Sequence, residues 1–167
     1  YPSEYMATVR SRNLNDIKQV TVYMTECKSM GSAVLGPDIN ESMVKFSTNK
    51  KGDVRFGLAA IKGVGEAASQ AIVNERISNG PYKPTYDFTE RVNFSVVNRK
   101  SLESIAFAGG FDSIIDFNRS RFFAVDANNN NAQFLDMLVR YGQRVQSDKN
   151  NAQQSLFGMF SDSGSDV

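Results

Sequence analysis

Two glycines separated by one apolar residue give this sequence its clearest candidate for chemistry. They lie in residues 61–65, IKGVG, between two short stretches whose apolar residues recur with helical spacing. Glycine tolerates a positive φ and has no Cβ, so the backbone can turn sharply here and approach an anion closely. Amides at the start of the next helix then point at the anion, and the helix dipole favours its charge. The spacing therefore predicts a phosphate-binding corner.

The pattern apolar-x-Gly-apolar-Gly is typical of the helix–hairpin–helix motif. In that motif Val64 inserts into the core, Lys62 adds one cationic contact, and Gly63 and Gly65 let a phosphate approach. The alternative is that the glycines only form a tight corner between two helices. Flanking apolar residues favour phosphate binding; they are Leu58, Ala59, Ile61, Ala67, Ala68 and Ile72.

A second helix–turn–helix unit follows, without the glycines of the first. Its predicted helices are joined by a turn at residues 93–95. Ser95 can donate to a phosphate, and Asn98, Arg99 and Lys100 stand at the next helix start, where side chains reach DNA backbones. A solvated helix face explains Arg99 and Lys100 equally well. Because paired motifs can contact both strands of a duplex, the repeat favours double-stranded DNA as the ligand.

The composition excludes several classes of site. The 167 residues contain no His and one Cys, Cys27, which excludes imidazole bases, zinc cages, iron–sulfur clusters and internal disulfides and suits a reducing cytoplasm. Asp38 and Asp53 are better explained as turn formers than as ligands of a two-metal centre. We therefore expect no catalytic residue, metal or cofactor in this stretch, and no membrane contact, because no run of 18 apolar residues occurs.

Charge limits how DNA could be held. The sequence has 19 Lys+Arg and 18 Asp+Glu, whereas binding dominated by counterion release needs a basic excess. Any nucleic-acid contact must therefore be local. The chain opens at Tyr1 with no Met and no signal-peptide pattern, which predicts a segment of a longer polypeptide.

The elements that position these residues are predicted to be mainly α-helical. Helices are expected from Ser3 to about Arg12 and from Asn13 to Gly31, and a β-hairpin at residues 46–56 surrounds a glycine-containing turn. The fold class is a tandem helix–hairpin–helix domain with a small β-hairpin and an N-terminal helical segment.

The C-terminal region is expected to be less regular. Asparagines at residues 128–131 interrupt the helical pattern, and a last amphipathic stretch begins at Phe134. Beyond Gly142 the chain is rich in Gln, Asn, Ser and Asp, which predicts a mobile tail.

Several stretches resemble the bacterial DNA polymerase III alpha subunit family, in order over about residues 1–123. They are YPSEYMA at 1–7, YMTECKSMG at 23–31, VLGPDINES at 34–42, RFGLAAIKGVGE at 55–66, FTERV at 88–92 and NRKSLESIAFAGGFD at 98–112. The resemblance divides the chain into the end of the fingers region (1–45), a β-hairpin (46–56), a tandem helix–hairpin–helix domain (57–125), and a further helix with a flexible tail (126–167).

The resemblance implies a replicative DNA polymerase that extends primed DNA with deoxynucleoside triphosphates and Mg²⁺ in the bacterial cytoplasm, together with other replisome subunits. The family's catalytic aspartates lie upstream in the palm, so no residue here inherits them, and this segment is expected to be inactive. Duplex binding carries over to residues 62–65.

The tail contains a short motif, Gln153-Gln154-Ser155-Leu156-Phe157, that resembles the pentapeptide with which these polymerases bind the β sliding clamp. Gln153 and Ser155 would be the polar positions, and Leu156 and Phe157 would enter an apolar pocket. Alternatively, Leu156 and Phe157 fold back onto the chain's own core.

Two other functions remain open from sequence. One is a scaffold or protein-interaction module that never touches DNA. The other is a helix–hairpin–helix DNA glycosylase, in which a glycine-proline-rich stretch and an Asp follow the hairpin. Gly80-Pro81 and Asp87 resemble that arrangement, although no Trp or His is present to stack on a flipped base.

Overall fold

The computed structural model describes residues 17–84 and 86–162, so the helix expected from Ser3 to Arg12 lies outside the described residues. The helices in the described part are α1 (Ile17–Ser29), α2 (Glu66–Asn79), α3 (Tyr86–Arg91), α4 (Arg99–Phe107) and α5 (Phe134–Asp162). Short 3-10 helices cover Leu58–Ala60, Asp112–Ile114 and Arg119–Phe123. The strands are β1 (Val34–Leu35), β2 (Ser47–Thr48), β3 (Val54–Arg55), β4 (Val125–Asp126) and β5 (Ala132–Gln133). The fold is mainly α, as predicted.

The predicted β-hairpin is formed by β2 and β3, which pair antiparallel around a turn with Gly52 at φ 85°. Strand β1 adds to the other edge of β3 in parallel, with Val34 opposite Val54. The sequence predicted only the hairpin, so this third strand is an addition that the structure provides. Helix α1 ends at Ser29, two residues before Gly31, whose φ of 78° stops the helix as predicted. The helix buries Cys27 against Phe46 and Val54 of the sheet region.

Two helix–hairpin–helix units share the main core. The first is built by the 3-10 helix Leu58–Ala60 and α2, and the second by α3 and α4. Fully buried apolar side chains come from both units; they include Leu58, Ile72, Phe88, Leu102 and Ile105. Because both units bury side chains in the same core, the position of one hairpin fixes the position of the other.

Helix α5 corrects the expectation of an irregular tail. It continues for 29 residues from Phe134 to Asp162, straight through Gly142. Its first half packs on α3: the Gln146 amide donates to the carbonyls of Thr89 and Val92 at 3.0 and 2.8 Å. The sequence after Gly142 holds no proline, so the helix can extend into residues 147–160, where every side chain is exposed.

The asparagine-rich insert forms a tight turn between β4 and β5, which pair antiparallel. Asn130 and Asn131 have φ values of 50° and 56°, a backbone region that asparagine enters more readily than most residues. Among the described helices, none is long and apolar enough to cross a lipid bilayer.

Candidate nucleic-acid interface

The first hairpin has the predicted shape. The Val64 amide donates to the Ile61 carbonyl at 3.0 Å and closes the turn, with Gly63 at φ 93° between them. Val64 is 4% exposed and inserts into the core, whereas Lys62 is exposed. The hairpin is therefore anchored by its apolar residues and presents its backbone and one lysine to solvent.

Gly63 is required by the fold. Its positive φ strains any residue with a Cβ, and a Cβ built there would lie 2.6 Å from the Ser104 hydroxyl oxygen on α4. The Ser101 hydroxyl donates to the Gly63 carbonyl at 3.5 Å. These two serines were not singled out from sequence, and serine spacing on an amphipathic helix gives no such signal. They show that the hairpin turns directly over α4.

Gly65 differs from Gly63 in its backbone conformation and in the space around it. Its φ of −74° and ψ of 163° are extended values that any residue adopts, so the positive φ that glycine tolerates is used at Gly63 and not at Gly65. No described atom lies within 4 Å of a Cβ built on Gly65. What this glycine provides is open space in front of a backbone that faces solvent.

That open space lies at the start of α2. Gly65 is the N-cap, and among the described residues no side chain caps this helix end. The first backbone bond runs from the Ser69 amide to the Gly65 carbonyl at 3.0 Å, so the amides of Glu66, Ala67 and Ala68 precede the helix's own ladder. Such amides, with the helix dipole behind them, are suited to an anion.

The second hairpin is closed by its own side chains instead. The Asn98 side chain caps α4 by accepting from the Ser101 amide at 2.9 Å, and the Asn93 side chain accepts from the Ser95 amide at 3.0 Å. Ser95 and Lys100 remain exposed. Because Asn98 and Asn93 fill acceptor positions in front of these amides, the second hairpin offers side chains rather than free backbone amides to a ligand.

Arg99 joins α4 to α5. Its guanidinium donates to Asp136 at 2.5 Å, to Gln133 at 2.7 Å and to Glu103 at 3.1 Å. The hydrogen bond from Arg99 is the main reason that the pKa of Asp136 is lowered, and it also raises the pKa of Arg99. The structure thus gives Arg99 a role in joining two helices that sequence reasoning did not foresee, because Asp136 and Gln133 lie more than 30 residues away.

The two aspartates of the strand-like region act as turn formers, as predicted. Asp38 accepts from the Asn40 amide at 2.7 Å, and Asp53 accepts from the Ala33 amide at 3.3 Å and the Asn49 side chain at 3.2 Å. Among the described residues, no group of three or more His, Cys, Asp or Glu side chains could hold a metal ion.

The motif at residues 153–157 lies on the distal half of α5. Gln153 and Ser155 are exposed, and Leu156 and Phe157 are 57% and 74% exposed. The alternative in which Leu156 and Phe157 fold back onto the described core is therefore wrong. Gln153, Leu156 and Phe157 are spaced by three and four residues, which places them on one side of the helix.

The chain matches known proteins over its whole length. The family model for the helix-hairpin-helix motif covers residues 31–122. DNA polymerase III subunit alpha of Vibrio cholerae is 31% identical over 167 residues, all of this chain and 14% of that protein. The Thermus aquaticus subunit is 34% identical over 162 residues, 97% of this chain and 12% of that protein.

The subunit of Chlamydia trachomatis is 45% identical over 112 residues, 67% of this chain and 9% of that protein. The chain thus spans a small part of the length of the curated relatives it matches. It has a helix–hairpin–helix domain, and it belongs to the bacterial DNA polymerase III alpha subunit family.

Proposed function

We propose that this chain is a duplex-DNA-binding segment of a replicative polymerase and that its first hairpin holds a backbone phosphate. The single observation that supports this is the uncapped start of α2, where Gly65 leaves open space in front of the helix amides. Lys62, exposed and directly before Gly63, supplies one cation at the rim. A site of this kind needs little net charge, in agreement with the near balance of 19 basic and 18 acidic residues.

The second hairpin contributes differently in this proposal. Its helix start is already capped by Asn98, so its DNA contacts come from the exposed side chains of Ser95 and Lys100. Side-chain contacts to phosphates position a duplex without reading its sequence. The two hairpins together therefore bind duplex DNA behind the active site of the parent enzyme, without sequence preference.

The chemistry of the parent enzyme is assigned to other parts of its chain. Primed-template extension with deoxynucleoside triphosphates needs Mg²⁺ held by clustered carboxylates. We assign no such role to Asp38 or Asp53, because their carboxylates accept hydrogen bonds from the backbone amides of Asn40 and Ala33. This segment then acts by holding the primer–template and by recruiting partners in the bacterial cytoplasm.

The partner assigned to the distal half of α5 is the β sliding clamp. Leu156 and Phe157 present large apolar surfaces to solvent beside Gln153, on a helix that stands away from the core after residue 147. Burial of one such side chain in a pocket is worth about 1.5–3 kcal/mol, so two of them suffice for weak, reversible docking. Contacts with other replisome subunits follow through the parent chain.

Fluorescence anisotropy with a labelled duplex tests the DNA-binding proposal against the scaffold alternative. Gly65→Val places a side chain in the open space without backbone strain, and we expect at least a tenfold weaker affinity. Gly36→Val is the matched control, because a Cβ there also meets no described atom and Gly36 follows β1, outside the hairpin. Folded Gly65→Val protein with parental affinity would show that the hairpin does not hold a phosphate.

A further inference from the structure

Most arginines in the described part of the chain are held by partners within it. Ion pairs, hydrogen bonds or aromatic rings engage six of them, which are Arg55, Arg76, Arg91, Arg99, Arg119 and Arg121. Arg140 and Arg144 are exposed, and neither makes a hydrogen bond or an ion pair with any residue in 17–84 or 86–162. Their charges are therefore available to a ligand.

The two free arginines form a pair. They are four residues apart on α5, which places them on one face of the helix and about 6 Å apart along its axis. With Asn129, Met137 and Tyr141 they line a shallow groove. Two like charges one turn apart repel each other, so the pair is most stable when an anion lies between or beside them.

The pair lies on the helix that contacts the start of α4. Gly63 of the first hairpin contacts Ser101 of α4, and Arg99 at the start of α4 contacts Asp136 of α5 at 2.5 Å. Asp136 lies one helical turn before Arg140. A chain of direct contacts thus leads from the first hairpin, past the start of α4, to the groove on α5.

The carboxylates near the groove form no ion pair with Arg140 or Arg144 in the described residues. Asp136, one turn before Arg140, is ion-paired with Arg99 and interacts with Arg140 only electrostatically, without a direct contact. Asp148 lies one turn after Arg144, and no ion pair joins them in the described structure. Glu90 on α3 accepts from the Tyr141 hydroxyl at 2.6 Å and faces Lys149.

We propose that Arg140 and Arg144 bind backbone phosphates of the same duplex, beside the phosphate at the first hairpin. This inference rests on the proposed DNA-binding function and extends its surface from the hairpins to α5. A guanidinium presents several donors in a fixed fork that matches a phosphate, so two of them on one helix face suit consecutive phosphates of one strand. Phosphodiester groups are the ligand because two unpaired guanidinium groups suit a doubly anionic backbone, and because α5 contacts the start of α4, which in turn contacts the first hairpin.

Salt-dependent binding of a labelled duplex by the whole 167-residue chain tests the proposal. R140A/R144A should weaken binding about tenfold at low salt and flatten the slope of log K against log salt by about 1.8, which is 0.9 for each lost phosphate contact. R140K/R144K keeps both charges and should keep most of that slope. K50A/K51A removes the same net charge from the β2–β3 turn and should change affinity less than twofold.

The possible outcomes separate the two proposals. Equal losses in R140A/R144A and K50A/K51A would show a general charge effect and would overturn the α5 site. Unchanged binding by R140A/R144A, with weakened binding by Gly65→Val, would overturn the α5 site and leave the hairpin function standing. Weakened duplex binding by R140A/R144A, with unchanged binding by Gly65→Val, would support the α5 site and overturn the phosphate role of the first hairpin. Absence of duplex binding by the parent chain would overturn both.

Discussion

Gly142 of α5 packs directly against the backbone carbonyl of Thr89 in α3. A Cβ built on Gly142 would lie 2.8 Å from the Thr89 carbonyl carbon, closer than real Cβ contacts allow. The Gln146 amide, one turn later, donates to the carbonyls of Thr89 and Val92 and thereby caps the end of α3. The glycine that sequence reasoning placed at the end of an ordered region is instead a point of close contact between two helices.

This contact predicts that Gly142→Ala destabilises the fold by about 1–3 kcal/mol, because overpacking forces the two helices apart. The prediction opposes helix propensity, by which alanine is favoured over glycine by about 1 kcal/mol. Gly158→Ala is the matched control in the same helix, where a Cβ meets no described atom, and it should stabilise the protein or leave it unchanged. Urea denaturation measures both. A more stable Gly142→Ala protein would contradict the contact.

The Arg99–Asp136 pair predicts a stability that depends on pH. The pKa of Asp136 is lowered in the folded state, mainly by the hydrogen bond from Arg99. The pair therefore contributes fully above the ordinary Asp pKa of 3.8, and its contribution is lost as pH falls through the lowered folded value. Asp136→Asn should cost about 1–2 kcal/mol at neutral pH and progressively less below about pH 4.

Glu103→Gln provides the comparison for that measurement. Glu103 pairs with the same guanidinium, but within one helix at an i,i+4 spacing, so its loss should cost about 0.5 kcal/mol. Thermal melts at several pH values distinguish the two variants. A cost of Asp136→Asn that stays the same from neutral pH to pH 2 would show that the ion pair is not its source.

The exposed motif on α5 predicts weak binding to the β sliding clamp, in the micromolar range or above. L156A/F157A should abolish that binding and leave duplex affinity unchanged, because both side chains lie far along α5 from the hairpins in sequence and are mostly exposed. M159A/F160A removes a similar exposed apolar area just outside the pentapeptide and should retain clamp binding. Surface plasmon resonance on immobilised clamp measures these affinities. Equal losses in the two double variants would point to a general apolar contact rather than the motif.

The assignment of chemistry to other parts of the parent chain predicts that the purified segment adds no nucleotide to a primed template with Mg²⁺. A gel-based extension assay with a complete alpha subunit as positive control measures this. Template-directed extension by the segment, reproduced after removal of trace polymerase, would show that a nucleotidyl-transfer centre lies within these residues.

Features set by a few adjacent residues were predictable from sequence. The first hairpin follows from Gly63 and its apolar neighbours, the β2–β3 hairpin from its glycine turn, the end of α1 from Gly31, and the start of α4 from Asn98. In each case the backbone geometry depends on local φ values or a local side-chain cap, which the residue types determine directly.

Features that depend on distant partners were decided by the tertiary structure. Glycine spacing alone could not separate Gly63, which must avoid Ser104 of α4, from Gly65, which faces open space. The sequence made Arg99 a candidate for DNA contact, but folding brings Asp136 within hydrogen-bonding distance of its guanidinium. Gly142 could not be distinguished from a helix end until Thr89 lay against it. The physical reason is the same throughout: packing and ion pairing join residues separated by tens of positions, and local sequence carries no record of which surfaces will meet.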